Sequence, residues 1–319
     1  MKDAKLHIPQ IVVLLTSAIA MSSIVISITK SDLDNGINDK SYYLVLSTLI
    51  VAIVTIALQV VQTLIKNPTS ITISLLGFPG VGKTVYLTML YEELQKSRDG
   101  FVAFSPYGSE TIEKVLTDID TLRCGVWLPR TPVNQVFFYR AYATLKSNVF
   151  FMSLPKKFKI EFADFAGENI DEFNPQKDNW LHKTEYFEYA LQSDGVFLAV
   201  DTEKYLNNID QFRSEINGLI AAIQILAEKK GSVDGKMIIE PISIIFLKAD
   251  ILNEDASIEK SILNEVDRLI SVCKNRFKFV KYFFVSSTGN LKDGKLSSIL
   301  TPINVINPLI WLLKNNIGR

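Results

Sequence analysis

Two long apolar runs open the chain. Ile8–Ile28 contains only scattered uncharged polar residues, and Tyr42–Ile65 contains no charged residue and a lower proportion of polar ones. At about 1.5 Å per helical residue, each run spans roughly 30 Å, which is the thickness of the hydrocarbon core of a bilayer. Neither run has the polar face that a soluble helix of this length shows. The pattern therefore predicts two transmembrane helices, over about 8–28 and 42–65.

The first run also permits a second interpretation, a cleaved signal peptide. Lys2 and Lys5 precede it, and Ala18-Ile19-Ala20 resembles a cleavage site. The apolar run continues well beyond that site, which is too long for a signal peptide and favours a membrane helix. The polar connector Thr29–Ser41 then makes residues 1–66 a transmembrane helical hairpin with both ends on the same side.

After residue 68 the pattern changes to short apolar runs separated by amphipathic stretches. This alternation predicts right-handed βαβ units, a mostly parallel sheet and one α/β domain over 69–319. A loop containing Pro155 is expected between the third and fourth strands. The predicted strands cover 71–76, 101–104, 133–145, 157–162, 195–200, 241–247 and 277–285, and the predicted helices cover 85–94, 109–123, 208–229, 257–274 and 302–315.

The stretch Gly77–Thr84 matches G-x-x-x-x-G-K-[ST], the phosphate-binding P-loop motif, between a predicted strand and a predicted helix. This context predicts the three-layer fold of a P-loop NTPase. Lys83 is expected to reach the β- and γ-phosphates, and the Thr84 hydroxyl is expected to ligate Mg²⁺. Pro79 brings no N–H donor to the loop. The predicted nucleotide-binding residues here are Gly77, Pro79, Gly80, Val81, Gly82, Lys83, Thr84 and Val85.

A second motif follows about eighty residues later. Asp164 ends an apolar strand and Gly167 stands three residues beyond it. P-loop proteins place the carboxylate that holds Mg²⁺ through water at such a position. Gly167 is expected to turn its N–H toward the γ-phosphate and to reorient when that phosphate leaves.

Composition narrows the function classes. Lys and Arg together number 34, as do Asp and Glu, so no charge excess indicates a nucleic-acid partner. Cys124 and Cys273 are too few and too distant for a disulfide framework, and His7 and His182 lack the neighbours of a zinc site. Nucleoside triphosphates are cytosolic, and Lys66 after the hairpin agrees with that side. We expect a multi-pass protein of the inner membrane with its P-loop domain in the cytoplasm.

Three motifs resemble those of small Ras-like GTPases. Asp164–Glu168 resembles their D-x-A-G-Q element, Phe246–Asp250 resembles the base-reading N-K-x-D element, and Val285–Gly289 follows the last strand where the family has its S-A-K loop. Trp127–Thr131 is similar to a Trp-Pro-x-x-Thr stretch in bacterial double-GTPase-type proteins of conflict and defence systems. The resemblance covers roughly 70–319 and implies a GTPase that uses GTP and Mg²⁺.

The resemblance also implies residue roles. Lys248 would lie along the base, and Asp250 would accept hydrogen bonds from guanine N1 and N2. Ser286 and Ser287 would support the base site. Thr131 would be the switch threonine that ligates Mg²⁺ and senses the γ-phosphate. The implied catalytic residues are Lys83, Thr131 and Glu168.

Two departures from the Ras-like pattern keep alternatives open. Leu247 replaces the Asn of the base-reading element, which leaves an ATPase of the same fold as an alternative. Glu168 replaces the water-orienting Gln, and a carboxylate repels the γ-phosphate, so we expect slow hydrolysis without a partner. Two alternatives remain. The protein could be a nucleotide-binding interaction module that hydrolyses weakly, or an effector whose transmembrane hairpin disturbs the membrane. A protein effector is expected, but the sequence does not identify it.

Arg130 and Asp201 receive weaker roles from the sequence. Arg130 is interpreted as a solvent-exposed loop residue rather than an arginine finger. Asp201 is interpreted as the start of a loop, outside the site.

Overall fold

The structure is a computed structural model. The structure describes residues 49–50, 52–53, 68–96, 101–130, 136–149, 152–165, 185–231, 237–252, 255–289 and 296–316. The chain divides into two compact units, Met1–Asn67 and Pro68–Arg319. Among the described residues, no helix has the length and apolar character needed to cross a membrane. The predicted spans over 8–28 and 42–65 lie outside the described residues, apart from residues 49–50 and 52–53, and stay predictions.

The second unit is built on a mixed sheet. Within the described residues the sheet has seven strands in the order β2-β3-β4-β1-β5-β6-β7. All neighbouring pairs from β4 to β7 are parallel, and β3 runs antiparallel to both β2 and β4. This confirms the predicted α/β class with a mostly parallel sheet. The strands are β1 Thr69–Leu76, β2 Phe101–Pro106, β3 Val136–Val149, β4 Met152–Phe165, β5 Gly195–Asp201, β6 Ile242–Leu247 and β7 Val280–Phe284.

Helices cover both faces of the sheet, and each face has its own apolar core. The first core packs α1, α2 and α8 against the sheet, and the second packs α3, α5, α6 and α7 against the other face. β5 and β6 are buried along their whole length, as expected of central parallel strands. The helices are α1 Lys83–Lys96, α2 Ser109–Arg123, α3 Glu185–Gln192, α4 Thr202–Asn207, α5 Ile209–Lys229, α6 Ala256–Glu265, α7 Asp267–Arg276 and α8 Asn307–Asn315, with a 3₁₀ turn at Ala249–Leu252.

The predicted loop around Pro155 is wrong. Pro155 lies inside β4, opposite Lys146 of β3, and the two strands form one long antiparallel hairpin. β1 begins to pair with β4 only at Phe158. At the level of Pro155 β4 therefore has β3 on one side only, and a residue without an N–H donor is tolerated at such an edge.

The helices differ from prediction most clearly around Val266, at the start of the closing helix, and between β4 and α5, where neither α3 nor α4 was among the predicted helices. The helix predicted over 257–274 is two helices that meet at Val266, whose side chain is buried. The closing helix begins at Asn307, with Pro308 in its first turn, rather than at 302. The short helix α4 was not predicted; the Asp201 side chain caps it by accepting a hydrogen bond from Glu203 N.

Candidate functional site

A cavity of about 490 Å³ lies where β1, β4 and β6 end. In open α/β sheets the carboxyl ends of the strands are where ligands bind. The cavity brings together residues from both halves of the predicted site. Predicted residues that line it are Pro79, Gly80, Val81, Gly82, Lys83, Thr84, Val85, Asp164, Lys248, Asp250 and Ser287.

The loop Gly77–Gly82, here called the glycine loop, connects β1 to α1. Gly80 and Gly82 have φ values of 74° and 98°, which a residue with a side chain rarely adopts. Gly77 has a different role: a Cβ there would lie 2.9 Å from Ala199 Cβ of β5. Gly77 does not line the cavity, so it serves close packing of the loop on the sheet. The glycine loop ends where α1 exposes the N–H groups of its first turn, which have no partner within the helix.

Lys83 is the buried cation of the cavity, with 7% of the residue exposed. Its Nζ donates hydrogen bonds to Gly77 O at 2.7 Å and to Phe78 O at 3.3 Å. Burial lowers the pKa of Lys83 to about 8, and the nearby Asp164 carboxylate opposes this shift. The ammonium group therefore lies in a setting that disfavours its charge, and an anionic ligand would reverse that.

Asp164 stands beside Lys83 and Thr84 because β4 is the direct neighbour of β1. Its Oδ2 accepts a hydrogen bond of 2.7 Å from Thr84 Oγ1. Its Oδ1 is buried and has no hydrogen-bond partner among the described residues. Burial raises the pKa of Asp164, while Lys83 and Thr84 act against the rise. A buried carboxylate oxygen without a partner, next to a threonine hydroxyl, suits a hard cation with oxygen ligands.

No group of three or more His, Cys, Asp or Glu in the described part of the chain could hold a metal ion alone. Magnesium commonly takes one or two protein oxygens and completes its shell with water and phosphate oxygens. Thr84 and Asp164 therefore fit Mg²⁺ held jointly with a phosphate ligand better than an all-protein metal site.

Lys248 follows β6 and has φ of 60°, an unusual value for a residue with a side chain. Its Nζ donates hydrogen bonds of 2.8 Å to Asp201 Oδ2 and of 2.8 Å to Glu203 Oε2. Burial disfavours its charge, but the two carboxylates prevail and raise the pKa of Lys248. The lysine stays charged, and its amine is held by β5 and α4.

Asp201, interpreted from the sequence as the start of a loop outside the site, ends β5 and caps α4, and it does not itself line the cavity. The Asp201 side chain is only 1% exposed and binds the lysine that lines the cavity. Next to it, the hydroxyl of Thr202 donates a hydrogen bond of 2.5 Å to Leu247 O. Asp201, Thr202 and Glu203 form what we call the β5 clamp. The clamp fixes the loop after β6 although Leu247 has no polar side chain.

Asp250 is oriented from the neighbouring strand. Its Oδ1 accepts a hydrogen bond of 2.8 Å from Ser286 Oγ, and Ser286 is buried after β7. Ser286 does not line the cavity but contacts Asp250, and the role predicted for it in supporting a base site stays a prediction. The Ser286 hydroxyl oxygen also accepts a hydrogen bond of 3.0 Å from Gly289 N, which closes the loop after β7.

Several cavity residues were not predicted as site residues. Trp127, Leu128, Pro129 and Arg130 line the cavity from the segment after α2. Leu128 packs on the first core, whereas the side chains of Trp127 and Arg130 are exposed. The sequence indicated these residues only through the Trp-Pro-x-x-Thr-like stretch, which does not show where they lie in the fold. The remaining residues missed are Phe165, Glu203, Leu247, Ile251 and Thr288.

Thr131, Gly167 and Glu168 lie outside the described residues. The roles predicted for them in ligating Mg²⁺, sensing the γ-phosphate and activating water stay predictions. The sequence also favours a moving switch loop from Gly167 to about Trp180, and this stretch lies outside the described residues as well.

No model of a known protein family matches the sequence. No curated protein matches it either. Any function must therefore be argued from the residues of the cavity.

Proposed function

We propose that this protein is a membrane-anchored P-loop GTPase that binds GTP with Mg²⁺ and hydrolyses it to GDP and phosphate as a nucleotide-dependent switch. One observation carries the proposal: Lys83, Thr84 and Asp164 meet in one cavity with the loop that presents Lys248 and Asp250. A phosphate-binding group and a base-binding group are thus available to a single ligand.

The phosphate half of the proposal rests on the glycine loop. The first-turn N–H groups of α1 and the buried ammonium group of Lys83 both favour a ligand with concentrated negative charge. A triphosphate would replace the carbonyl oxygens of Gly77 and Phe78 as partners of Lys83 Nζ. It would also relieve the unfavourable burial of that charge.

Thr84 and Asp164 are the residues that would hold Mg²⁺. When bound, the ion would neutralise part of the charge on the β- and γ-phosphates. Thr84 Oγ1 would exchange its hydrogen bond to Asp164 for the cation, and Asp164 Oδ1, which has no partner among the described residues, would gain one.

The base half of the proposal rests on Asp250. Ser286 occupies Oδ1, which orients the carboxylate. A carboxylate can accept both N1–H and N2–H of guanine, whereas adenine offers no such pair of donors. The ATPase alternative is retained because the side chain of Leu247 cannot make the bond of an asparagine. The β5 clamp favours GTP, since its hydrogen bonds to Lys248 and to Leu247 O fix the loop after β6 in place of the missing asparagine bond.

The decisive experiment is isothermal calorimetry on the full chain in detergent with GTP and with ATP, in magnesium buffer and in EDTA. We expect binding of GTP that is at least tenfold tighter than binding of ATP. Absence of heat with both nucleotides would remove the proposal. Single-turnover hydrolysis measures the chemical step, and fast turnover by the wild type alone would contradict the slow rate expected from Glu168.

Asp164→Asn is the matched variant for the metal. Because burial raises the pKa of Asp164, its charge lowers stability as the pH rises above the ordinary carboxyl value, and at neutral pH the amide removes that cost. We expect the variant to fold at least as well as the wild type and to bind GTP in EDTA with similar affinity. The gain in affinity on adding Mg²⁺, about tenfold or more in the wild type, is expected to disappear. A preserved magnesium effect would exclude Asp164 as the metal-binding residue.

Asp201→Asn tests the β5 clamp. An asparagine still caps α4, so the change mainly removes the charge facing Lys248 Nζ. We expect GTP affinity to fall about tenfold, since hydrogen bonds between charged groups contribute about 1.5–3 kcal/mol. Single-turnover hydrolysis at saturating GTP should change little, because the clamp positions the base. Asp210→Asn, at an exposed position in the first turn of α5, is the control, and equal affinity of both variants would remove the clamp from the site.

A further inference from the structure

Strands β1 and β4 separate at the edge of the cavity. Their parallel pairing ends with Ser74 opposite Ala163. β1 stays paired with β5 as far as Leu76, and β4 stays paired with β3 as far as Phe165. The first residue of β4 beyond the shared pairing is Asp164, which lines the cavity. The separation therefore leaves the end of β1 without its neighbour in β4.

The backbone groups that lose this neighbour follow from the alternation along a strand, in which successive residues point their N–H and C=O groups to opposite sides. Thr72 points to the β5 side, because its C=O accepts a hydrogen bond of 2.8 Å from Asp194 N, just before β5. Leu75 O therefore points to the β4 side, and Gly77 N–H would do so in a continued strand. In a continued parallel ladder both groups would bond to the backbone of Phe165.

Tyr186 of α3 supplies the hydrogen bonds of the missing neighbour. Its hydroxyl donates a hydrogen bond of 3.0 Å to Leu75 O. Burial raises the pKa of Tyr186, and a hydrogen bond from the Gly77 backbone acts against this rise. One hydroxyl group can serve both partners because it is a donor and an acceptor. Tyr186 is 6% exposed, so these bonds form away from bulk water.

The ring of Tyr186 fixes the place of this hydroxyl group. The ring centroids of Tyr186 and Phe165 are 4.6 Å apart, and Phe165 lines the cavity. The Phe165 ring also packs against Tyr189, with the centroids 5.8 Å apart. Helix α3 thus contacts the end of β4 through two tyrosine rings and the end of β1 through one tyrosine hydroxyl.

Gly77 connects the tyrosine to the phosphate half of the cavity. The Gly77 C=O accepts the hydrogen bond of 2.7 Å from Lys83 Nζ. On the β5 side, Ala199 lies so close that a Cβ on Gly77 would be 2.9 Å from it. Tyr186, Ala199 and Lys83 therefore fix the start of the glycine loop together. If a phosphate takes over Lys83 Nζ, the contacts with Tyr186 and Ala199 remain to hold the loop.

We propose that Tyr186 is a positioning residue of the glycine loop, whose hydroxyl group holds the backbone of Leu75 and Gly77 in the arrangement that receives a triphosphate. This inference rests on the proposed function and concerns its phosphate half only. Lys248 and Asp250 belong to the loop after β6, which Tyr186 does not hold. Loss of the hydroxyl group should therefore weaken the binding of every triphosphate by the same factor.

The test uses Tyr186→Phe, which removes the hydroxyl group and keeps the ring that packs on Phe165. Calorimetry on the full chain in detergent measures binding of GTP, ATP and inorganic triphosphate, each with Mg²⁺ and in EDTA. We expect all three to bind about tenfold more weakly than to the wild type, which is the factor that a neutral hydrogen bond can contribute. The preference for GTP over ATP and the gain in affinity on adding Mg²⁺ should keep their wild-type values.

Tyr189→Phe is the matched control on the same helix. The Tyr189 hydroxyl donates a hydrogen bond of 3.3 Å to Glu161 O of β4, and its ring also packs against Phe165. The control therefore loses a tyrosine hydrogen bond to the sheet without changing the bonds of the glycine loop. We expect it to bind all three ligands with wild-type affinity.

Hydrogen exchange of the ligand-free protein, followed by mass spectrometry, gives a second readout. In Tyr186→Phe the amides of the glycine loop should exchange faster, while those of β5 and β6 keep their wild-type rates. Exchange that rises equally in all strands would show a merely structural role and overturn the proposal. Wild-type affinity of Tyr186→Phe for inorganic triphosphate would also overturn it and leave the proposed function intact. A wild type that binds none of the three ligands would overturn both.

Discussion

Replacing Lys83 with methionine is expected to abolish GTP binding while making the ligand-free protein more stable. Methionine has a similar length and no charge. The loss in affinity should be at least about 100-fold, because the ammonium group would make more than one charged hydrogen bond to phosphate at about 1.5–3 kcal/mol each. A variant that is merely destabilised would lose both GTP binding and folding stability. Lost binding together with increased stability therefore assigns the effect to the cavity.

The gain in stability follows from the pKa of Lys83. Burial lowers it to about 8 from the ordinary value of 10.5. Between these values the unfolded chain binds more protons than the folded one, so stability rises with pH across this interval. Below pH 8 the buried charge costs the fold up to about 3 kcal/mol, at about 1.4 kcal/mol per pKa unit. The lost bonds to the carbonyl oxygens of Gly77 and Phe78 offset part of the gain from removing it.

The measurement is urea unfolding of the full chain in detergent, for wild type and Lys83→Met, from pH 6.5 to pH 10.5. The variant should be more stable by about 1–2 kcal/mol at pH 7, and the difference should decline as the pH rises through 8. Lys96→Met, at the exposed end of the same helix, is the control and should show neither effect. A variant that retains GTP affinity would remove Lys83 from the site.

Local patterns predicted the elements of this fold well where the signal was continuous. The helix Ser109–Arg123 was predicted with the boundaries that the structure has, because apolar residues recur along one face of it. The split at Val266 was missed since the apolar period continues through it. Pro155 was wrongly assigned to a loop. A proline can lie in β4 at this position because β1 begins to pair only further along the strand, and no local sequence pattern shows where that pairing begins.

The residues of the candidate site likewise include some that local patterns predict and others that depend on contacts between distant positions. The glycine loop and Asp164 were predicted because a motif fixes their spacing and strand order brings them together. The β5 clamp was not predicted, since Asp201 and Lys248 are 47 positions apart and meet only because β5 and β6 are neighbours. A departure from a motif, such as Leu247, shows that a bond is missing but not which residues replace it.

Asp250→Asn is expected to move the base preference from guanine to xanthine. The asparagine keeps one oxygen for Ser286 or for a base N–H and puts an N–H₂ donor where the second oxygen stood. That donor would face the N2 amino group of guanine, and neither of these two N–H₂ groups would then have an acceptor. Xanthine has a carbonyl oxygen at this position and accepts the new hydrogen bond. We expect GTP affinity to fall about 100-fold and XTP to bind more tightly than GTP, since an unpaired buried polar group costs about 1–3 kcal/mol.

Competition against a fluorescent guanine nucleotide measures the switch with GTP, XTP and ATP. Ser286→Ala is the matched variant, since it removes the residue that orients Asp250 and leaves the carboxylate in place. It should weaken GTP binding severalfold without favouring XTP. Comparing the two variants separates recognition of the base by Asp250 from the orientation of Asp250 by Ser286. If Asp250→Asn leaves the preference unchanged while Lys83→Met abolishes binding, the phosphate half of the site stands and another group reads the base.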